Sequence, residues 1–484
     1  MCSYTSKNIW RIIMAKNLVY DIHDKPPFGK MLVFAIQQLL AILAATIAVP
    51  AIVGNGMSAS AALFGAGVGT LVYQLFTKFR SPVFLGSSFA FIGSMLAAFG
   101  GATSMSLGFL GLIIGAIFAG LIYVIIAVIV KKFGTQWISK VMPAAVIGPT
   151  VALIGLSLAG AAVNDVFSYG AKETFGLNQY FIMTTNIWLS LICALVTFAV
   201  VVACSVYGKK MVKLIPFIIG ILAGYALALV FTVIGYIADA DAMKVIDFAP
   251  FKALLDNGKV VFTTFLDFPQ FAFIEGAKGF KDFEWSYLAT VAVAYIPVAF
   301  VVFAEHIADH KNLSSIIEKD LLEDPGLDKT LLGDGVGSMA GAFFGGCPNT
   351  TYGESVGCVA ITRNASVWTI TTTAIMSIII SFFAPFVAFL DSIPGCVMGG
   401  VCITLYGFIA VSGLKMIQKV NLEDSANLFT VSVILITGIG GMAMAIGKVY
   451  ITCVACALVL GIITNLLLNK FKKPAESDSV EEDK

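Results

Sequence analysis

Charge is what this sequence lacks. Of 484 residues only 12% are Asp, Glu, Lys or Arg, while 58% are hydrophobic; a soluble domain carries about 25% charged residues. With a mean hydropathy of +0.93, the composition excludes a water-soluble protein and indicates one that crosses a bilayer many times. The net charge of +1 gives no basic surface for nucleic acid. Histidine is nearly absent: His23, His306 and His310 are all there are. They supply no three-ligand metal cluster at depth, and HExxH and P-loop motifs are missing, which speaks against a metallohydrolase or a nucleotide-driven machine. The stretch Gly353-Glu354-Ser355-Val356-Gly357 fits GxSxG formally, but no α/β pattern surrounds it and no histidine follows it, so a hydrolase elbow is discounted. Nine cysteines are an odd number, and all but Cys2 lie in apolar segments. Cys453 and Cys456 have CxxC spacing without a second pair, so free thiols are expected rather than a metal or redox site. No cofactor and no enzyme activity are expected. No cleavable signal peptide is expected: residues 1–30 are mixed and polar, with Lys7, Arg11, Lys16, Lys25 and Lys30 and no apolar core. Met14 offers an alternative start. The charged tail 472–484 reads as disordered.

Long apolar windows are what is there. Segments of about 20 residues suffice to span a bilayer, and they fall near 31–54, 58–78, 83–100, 106–130, 137–162, 184–206, 212–238, 286–307, 331–346, 349–364, 366–390, 394–413, 427–446 and 449–470. The expectation is an all-α polytopic membrane protein of 14 segments, with segments 9 and 10 short and broken. Lys and Arg in short loops set orientation. With residues 1–30 inside, inner loops hold Lys78 and Arg80, Lys131 and Lys132, Lys209, Lys210 and Lys213, and Lys415 and Lys419. Opposite loops near 55–57, 101–105 and 391–393 hold none. Both termini are therefore expected on the cytoplasmic side of the cell membrane.

A faint internal repeat links the halves. Segment 5 contains Pro143-Ala144-Ala145-Val146-Ile147-Gly148, and segment 12 opens with Pro394-Gly395-Cys396-Val397-Met398-Gly399. Each is fifth in a set of seven, and an odd set inverts its successor. The third segments also correspond. Ser81-Pro82-Val83-Phe84-Leu85-Gly86-Ser87-Ser88-Phe89-Ala90 interrupts one, and Cys347-Pro348-Asn349-Thr350-Thr351-Tyr352-Gly353-Glu354-Ser355-Val356-Gly357 interrupts its counterpart, segment 10. Such breaks are tolerated in hydrocarbon only where protein or a water-filled cavity shields the backbone. Paired breaks in inverted halves mark the site of a secondary transporter.

Ionisable groups in the spans are few. Glu305 follows Val298-Ala299-Phe300-Val301-Val302-Phe303-Ala304, with His306, Asp309 and His310 just after it, and Glu354 lies in the second break. Glu305 and Asp309 are four apart and share a helix face. The plain alternatives are a helix-end carboxylate at the surface for Glu305, a loop residue for Glu354, surface groups for Asp309 and His310, and an inner-face anchor for Arg363. Carboxylates at membrane depth more often line a pathway. Two of them accept hydrogen bonds from the N–H groups of a flat polar ring, while half-helix N-termini bind its carbonyl oxygens. Like charges close together in a dry pocket also favour holding a proton, which links proton and solute occupancy. A proton-coupled carrier of a small polar solute follows. A channel lacks support, because no filter-like tandem is present. An anion transporter of similar architecture would favour a basic or carboxylate-free pocket.

Several of these residues form longer motifs: Phe303-Ala304-Glu305-His306-Ile307, Lys319-Asp320-Leu321-Leu322-Glu323-Asp324-Pro325-Gly326-Leu327, Pro348 to Glu354, and Glu354-Ser355-Val356-Gly357-Cys358-Val359-Ala360-Ile361-Thr362-Arg363. In this order they resemble the nucleobase/ascorbate transporters (nucleobase–cation symporter type 2), most closely the bacterial uracil permease branch, over residues 30–471. The resemblance implies two inverted seven-segment repeats, with short strands in broken segments 3 and 10. It implies a cytoplasmic segment 1–30, a core domain at 31–130, 286–365 and 366–392, and a gate domain at 131–238 and 393–471, joined by an extracellular connection 239–285. By position, Glu305 and Glu354 would bind the base through side chains and Phe89 and Gly353 through backbone. Ala45 and Tyr352 would line the pocket, and Tyr406 would face it from the gate. Glu305 and Asp309 would couple protons. The implied substrate is uracil, with another pyrimidine or a purine such as xanthine or urate as alternatives, sodium as the alternative ion, and a homodimer as the assembly. The acid at Glu354, where purine carriers tend to have Gln, favours uracil. Three positions depart from the family pattern: Ser355 replaces a usual Asn, Gln37-Gln38 replaces Gln-His, and Asp309 stands where some members have His.

Overall fold

The computed structural model describes residues 18–134, 136–168, 170–175, 178–209, 211–255, 259–446 and 449–471. The first 17 residues, Lys210 and the tail 472–484 lie outside the described residues, and so does that part of what was expected of them. Helices α1 (Phe28–Val53) and α2 (Ala59–Phe76) lead to β1 (Leu85–Ser87), a tight turn at Phe89–Phe91, α3 (Ile92–Gly100) and α4 (Met105–Phe133). Then come α5 (Ala144–Ser157), α6 (Ala159–Val166), the hairpin β2 (Lys172–Phe175) and β3 (Asn178–Phe181), α7 (Thr185–Tyr207), α8 (Met211–Leu214) and α9 (Pro216–Ile237). The second half holds α10 (Trp285–Ile317), α11 (Leu327–Gly345), β4 (Asn349–Thr351), α12 (Gly353–Thr362), α13 (Val367–Ile380) and α14 (Ala384–Asp391). It ends with α15 (Gly395–Ile417), α16 (Ser425–Ile439), the hairpin β5 (Met444–Ile446) and β6 (Val449–Ile451), and α17 (Cys453–Phe471). Nine helical segments among the described residues are long and apolar enough to cross a membrane.

Local chemistry explains the boundaries. Ser58 and Ser104 cap α2 and α4 by accepting from the N–H groups of Ala61 and Leu107, each at 3.2 Å. Pro216 opens α9, where a missing N–H costs nothing. On α4 the exposed Ile117, Leu121, Ile125 and Val128 recur every three or four residues, a stripe that suits lipid and would be a liability in water.

The chain is a multi-pass helical membrane protein, and its two broken segments meet. Strands β1 and β4 pair antiparallel, Leu85 with Thr351, Gly86 with Thr350 and Ser87 with Asn349. Ser88 N–H donates to the Pro348 carbonyl at 2.9 Å and Tyr352 N–H to the Phe84 carbonyl at 3.2 Å, extending the ladder. The pairing satisfies backbone groups that hydrocarbon cannot. Gly86 is required sterically, because a Cβ there would enter the Tyr352 ring, whose hydroxyl donates to the Ser87 carbonyl at 2.8 Å.

The helices form two sets, the first of which holds this pair. In one, α2 lies against α11 and α13, and α4 against α10 and α11. In the other, α15 lies against α5, α6 and α7, and α9 packs on α7. Segment 9, expected to be broken, is the continuous α11; its glycines permit close approach rather than a break. A Cβ on Gly65 of α2 would fall on the Gly341 carbonyl oxygen of α11. Gly65→Val is therefore expected to cost about 1–3 kcal/mol as overpacking, read as a lower unfolding midpoint in detergent; an unchanged midpoint would contradict this contact. Segment 11 is divided between α13 and α14, and the connection before α10 pairs with the divide: Asp267 N–H donates to the Phe382 carbonyl at 3.0 Å and Ala384 N–H to that of Phe265 at 3.1 Å. The eight cysteines of the described residues are free thiols.

Candidate functional site

Because β1 and β4 run antiparallel, the helices that follow them leave in opposite directions from one depth. The turn at Phe89 and the first turn of α12 thus both start at one cavity, where the first N–H groups of a helix have no intrahelical partner. Such helix starts carry partial positive charge and suit ligand oxygens. Glu354 occupies the first turn of α12.

Helix α10 brings a second acidic face. Glu305 lies mid-helix rather than at a surface end, and Asp309 follows one turn later. Both line a cavity of about 500 Å³, together with Phe89, Tyr352, Gly353 and Glu354. All three carboxylates are half-buried, enclosed by protein but open to that cavity. Glu305 lies within charge–charge reach of Asp309 and Glu354. Thr351, the last residue of β4, donates its hydroxyl to Asp309 Oδ2 at 2.7 Å. A Cβ on Gly353 would stand 3.9 Å from Asp309 Oδ1, so that acid sits beside the start of α12.

The opposite face of α10 is polar packing. His306 Nδ1 lies 2.7 Å from Asp334 Oδ2, and its Nε2 lies 3.0 Å from Thr330 Oγ1. His310 donates from Nδ1 to the His306 carbonyl at 2.8 Å, and its Nε2 lies 2.7 Å from the Tyr73 hydroxyl. Both histidines are fully buried. His310 is therefore a core residue, whereas Asp309 faces the cavity.

Two of the positions that depart from the family pattern prove to be partners. Gln38 Nε2 donates to Ser355 Oγ at 2.5 Å, and Phe84 N–H donates to the same oxygen at 3.1 Å. A shorter hydroxyl on α12 meets a long amide on α1, and the pair ties both to the start of β1.

Of the residues expected at the site, Glu305, Asp309, Glu354, Phe89, Gly353 and Tyr352 share the cavity. Ala45 is enclosed in packing, 1% exposed, and stands behind the wall. Tyr406 also stands back from the wall, with its ring centroid 6.1 Å from that of Phe89. The far wall comes from α5 and α15, through Val151, Ile154, Leu405, Phe408 and Ile409. Sequence reasoning missed these, since aliphatic residues inside a span carry no distinguishing signal. Thr351 was within reach, as a hydroxyl in the interrupted stretch. The cavity extends along α12 to Ile361 and to Lys213 and Met416, the end of the molecule where residues 18–25 pack.

A family model described as Permease family, Xan_ur_permease, matches residues 29–447. The uracil permease of Bacillus caldolyticus is 36% identical over 462 residues, covering 95% of this chain and 96% of that protein. The uracil permease of Bacillus subtilis (strain 168) is 35% identical over 467 residues, covering 95% and 97%. Among solved structures, the transmembrane domain of a cyanobacterium bicarbonate transporter, BicA, superposes with a TM-score of 0.56 at 15% identity, covering 92% of this chain and 100% of that one. That likeness concerns the fold alone.

Proposed function

Because the chain belongs to the nucleobase/ascorbate permease family, a family of transporters and not enzymes, we propose that it imports uracil across the cytoplasmic membrane by proton symport. The observation that carries this reading is the convergence of Glu305 and Glu354 on one cavity beside two helix starts. Uracil is a flat ring with N–H donors and carbonyl acceptors on one edge. Carboxylates accept from its N–H groups, and backbone N–H groups at the helix starts donate to its carbonyls. Phe89 and Tyr352 supply aromatic surface to its faces. The relatives named as uracil permeases support the same substrate.

In this reading, α1–α4 and α10–α14 form a core that carries the base, and α5–α9 and α15–α17 form a gate. Core and gate move against each other to expose the cavity alternately to each side. Both termini lie in the cytoplasm, as the Lys and Arg loops imply, so the cavity described here opens inward. Protons exchange at Glu305 and Asp309, and two copies pair through their gates.

Uptake of labelled uracil into proteoliposomes tests the proposal, with imposed proton or sodium gradients and with xanthine, thymine and uric acid as competitors. An inward proton gradient is expected to drive accumulation above equilibrium, and a sodium gradient is expected not to. Accumulation driven by sodium alone would replace the coupling ion; stronger competition by xanthine or uric acid than by unlabelled uracil would replace the substrate.

A further inference from the structure

The polar segment before α1 does not hang free. Val19 N–H donates to the Arg363 carbonyl at 2.7 Å, Ala365 N–H to that of Tyr20 at 2.9 Å, and Val367 N–H to that of Ile22 at 3.0 Å. Ser366 Oγ donates to the Asp24 carbonyl at 2.6 Å. The segment is thus laced to the link between α12 and α13, starting at Arg363, whose left-handed conformation ends α12. Lys319 Nζ pairs with Asp21 at 2.6 Å, tying it also to the stretch after α10. Lys25 stands over the Trp368 ring at 4.9 Å.

Ile22 gives this lacing its purpose. It is 4% exposed and packs in a cluster with Val83, Leu85, Leu313, Val356 and Val359. Val356 and Val359 form the back of α12, the same short helix whose front carries Glu354, Gly357 and Ile361 on the cavity wall. Val83 and Leu85 belong to the stretch that pairs with β4. A helix of only 10 residues is placed by its surroundings: its start is tied through Ser355 to Gln38 and Phe84, which leaves its back and its far end to be braced. Residues 18–25 do both.

We propose that residues 18–25 are a positioning element of the substrate site: Ile22 braces the back of α12, the backbone lacing fixes its end at Arg363, and together they set where Glu354 stands. This rests on the reading of the cavity as the uracil site. None of these residues touches the cavity, so their effect is transmitted through α12.

The test uses the full chain in proteoliposomes, with Ile22→Ala, Asp21→Lys, Lys319→Asp and the double exchange Asp21→Lys/Lys319→Asp. Ile22→Ala is expected to raise KM for uracil about ten- to a hundredfold, as small displacements of positioned groups do, with a smaller change in kcat. Each single charge reversal is expected to raise KM about three- to fivefold, as the pair is partly exposed, and the double exchange to restore it. Hydrogen exchange at residues 353–356, measured without substrate, is expected to quicken in Ile22→Ala. Unchanged KM in folded variants, a lower unfolding midpoint with unchanged KM, or no restoration by the double exchange would overturn the proposal. Should the wild-type protein not carry uracil, the transport reading fails, and unaltered exchange at 353–356 in Ile22→Ala would sink the strap separately.

Discussion

Glu354→Gln is expected to lose uracil binding while leaving a folded protein. The side chain projects from the first turn of α12 into the cavity, and the packing of that helix is made by Val356 and Val359 on its back. Replacing a carboxylate by an amide of the same shape therefore removes charge without opening a void. A carboxylate offers acceptors only, whereas an amide turns one of its two positions into a donor. Facing the N–H groups of a pyrimidine, that donor is repelled rather than bonded. Hydrogen bonds to charged groups are worth about 1.5–3 kcal/mol, which corresponds to roughly ten- to a hundredfold in affinity for one lost contact. The mismatched donor adds to that loss. Uracil binding to purified protein, followed by calorimetry together with the unfolding midpoint, decides the matter. Undiminished affinity at an unchanged midpoint would remove Glu354 from the site.

How far the site could be read from sequence depended on how unusual each residue is in its setting. A proline, glycines and hydroxyls inside an apolar run admit few physical explanations, so both interrupted segments stood out. Their strands came from family resemblance, because three residues are too short for an alternation pattern. Glu305 and Glu354 were legible for the same reason as the breaks: charge does not belong at that depth. The pairing of Gln38 with Ser355 was not, since 317 residues separate them and each looked like an isolated departure. His310, which the sequence leaves open as a surface group, is a core residue because Tyr73, on another helix, stands 2.7 Å from its ring nitrogen. The lacing of residues 18–25 was hidden by their polarity, which reads as a solvated leader. It is made by backbone groups, which any sequence possesses.

Glu305→Gln is expected to separate binding from coupling. Glu305 and Asp309 lie one turn apart on the cavity face of α10, but their surroundings differ. Asp309 receives the Thr351 hydroxyl at 2.7 Å, a bond that holds it to the end of β4. Glu305 stands beside Asp309 and Glu354, within reach of both charges. Glu305 accepts no such bond among the described residues and opens on the cavity, where its carboxyl can take up and release a proton. Cycling of that proton with the cavity's exposure would drive accumulation. Gln cannot exchange a proton, so a pH gradient should no longer drive uracil above its equilibrium level. Exchange of labelled for unlabelled uracil across the membrane needs no net proton movement. It is expected to persist in Glu305→Gln, at higher uracil concentration if the side chain also binds the base. Gradient-driven accumulation and counterflow, measured in one preparation, distinguish the two roles. If accumulation still follows the pH gradient in this variant, coupling belongs elsewhere, and Asp309→Asn becomes the variant that must abolish it. If accumulation and counterflow vanish together, Glu305 serves binding alone.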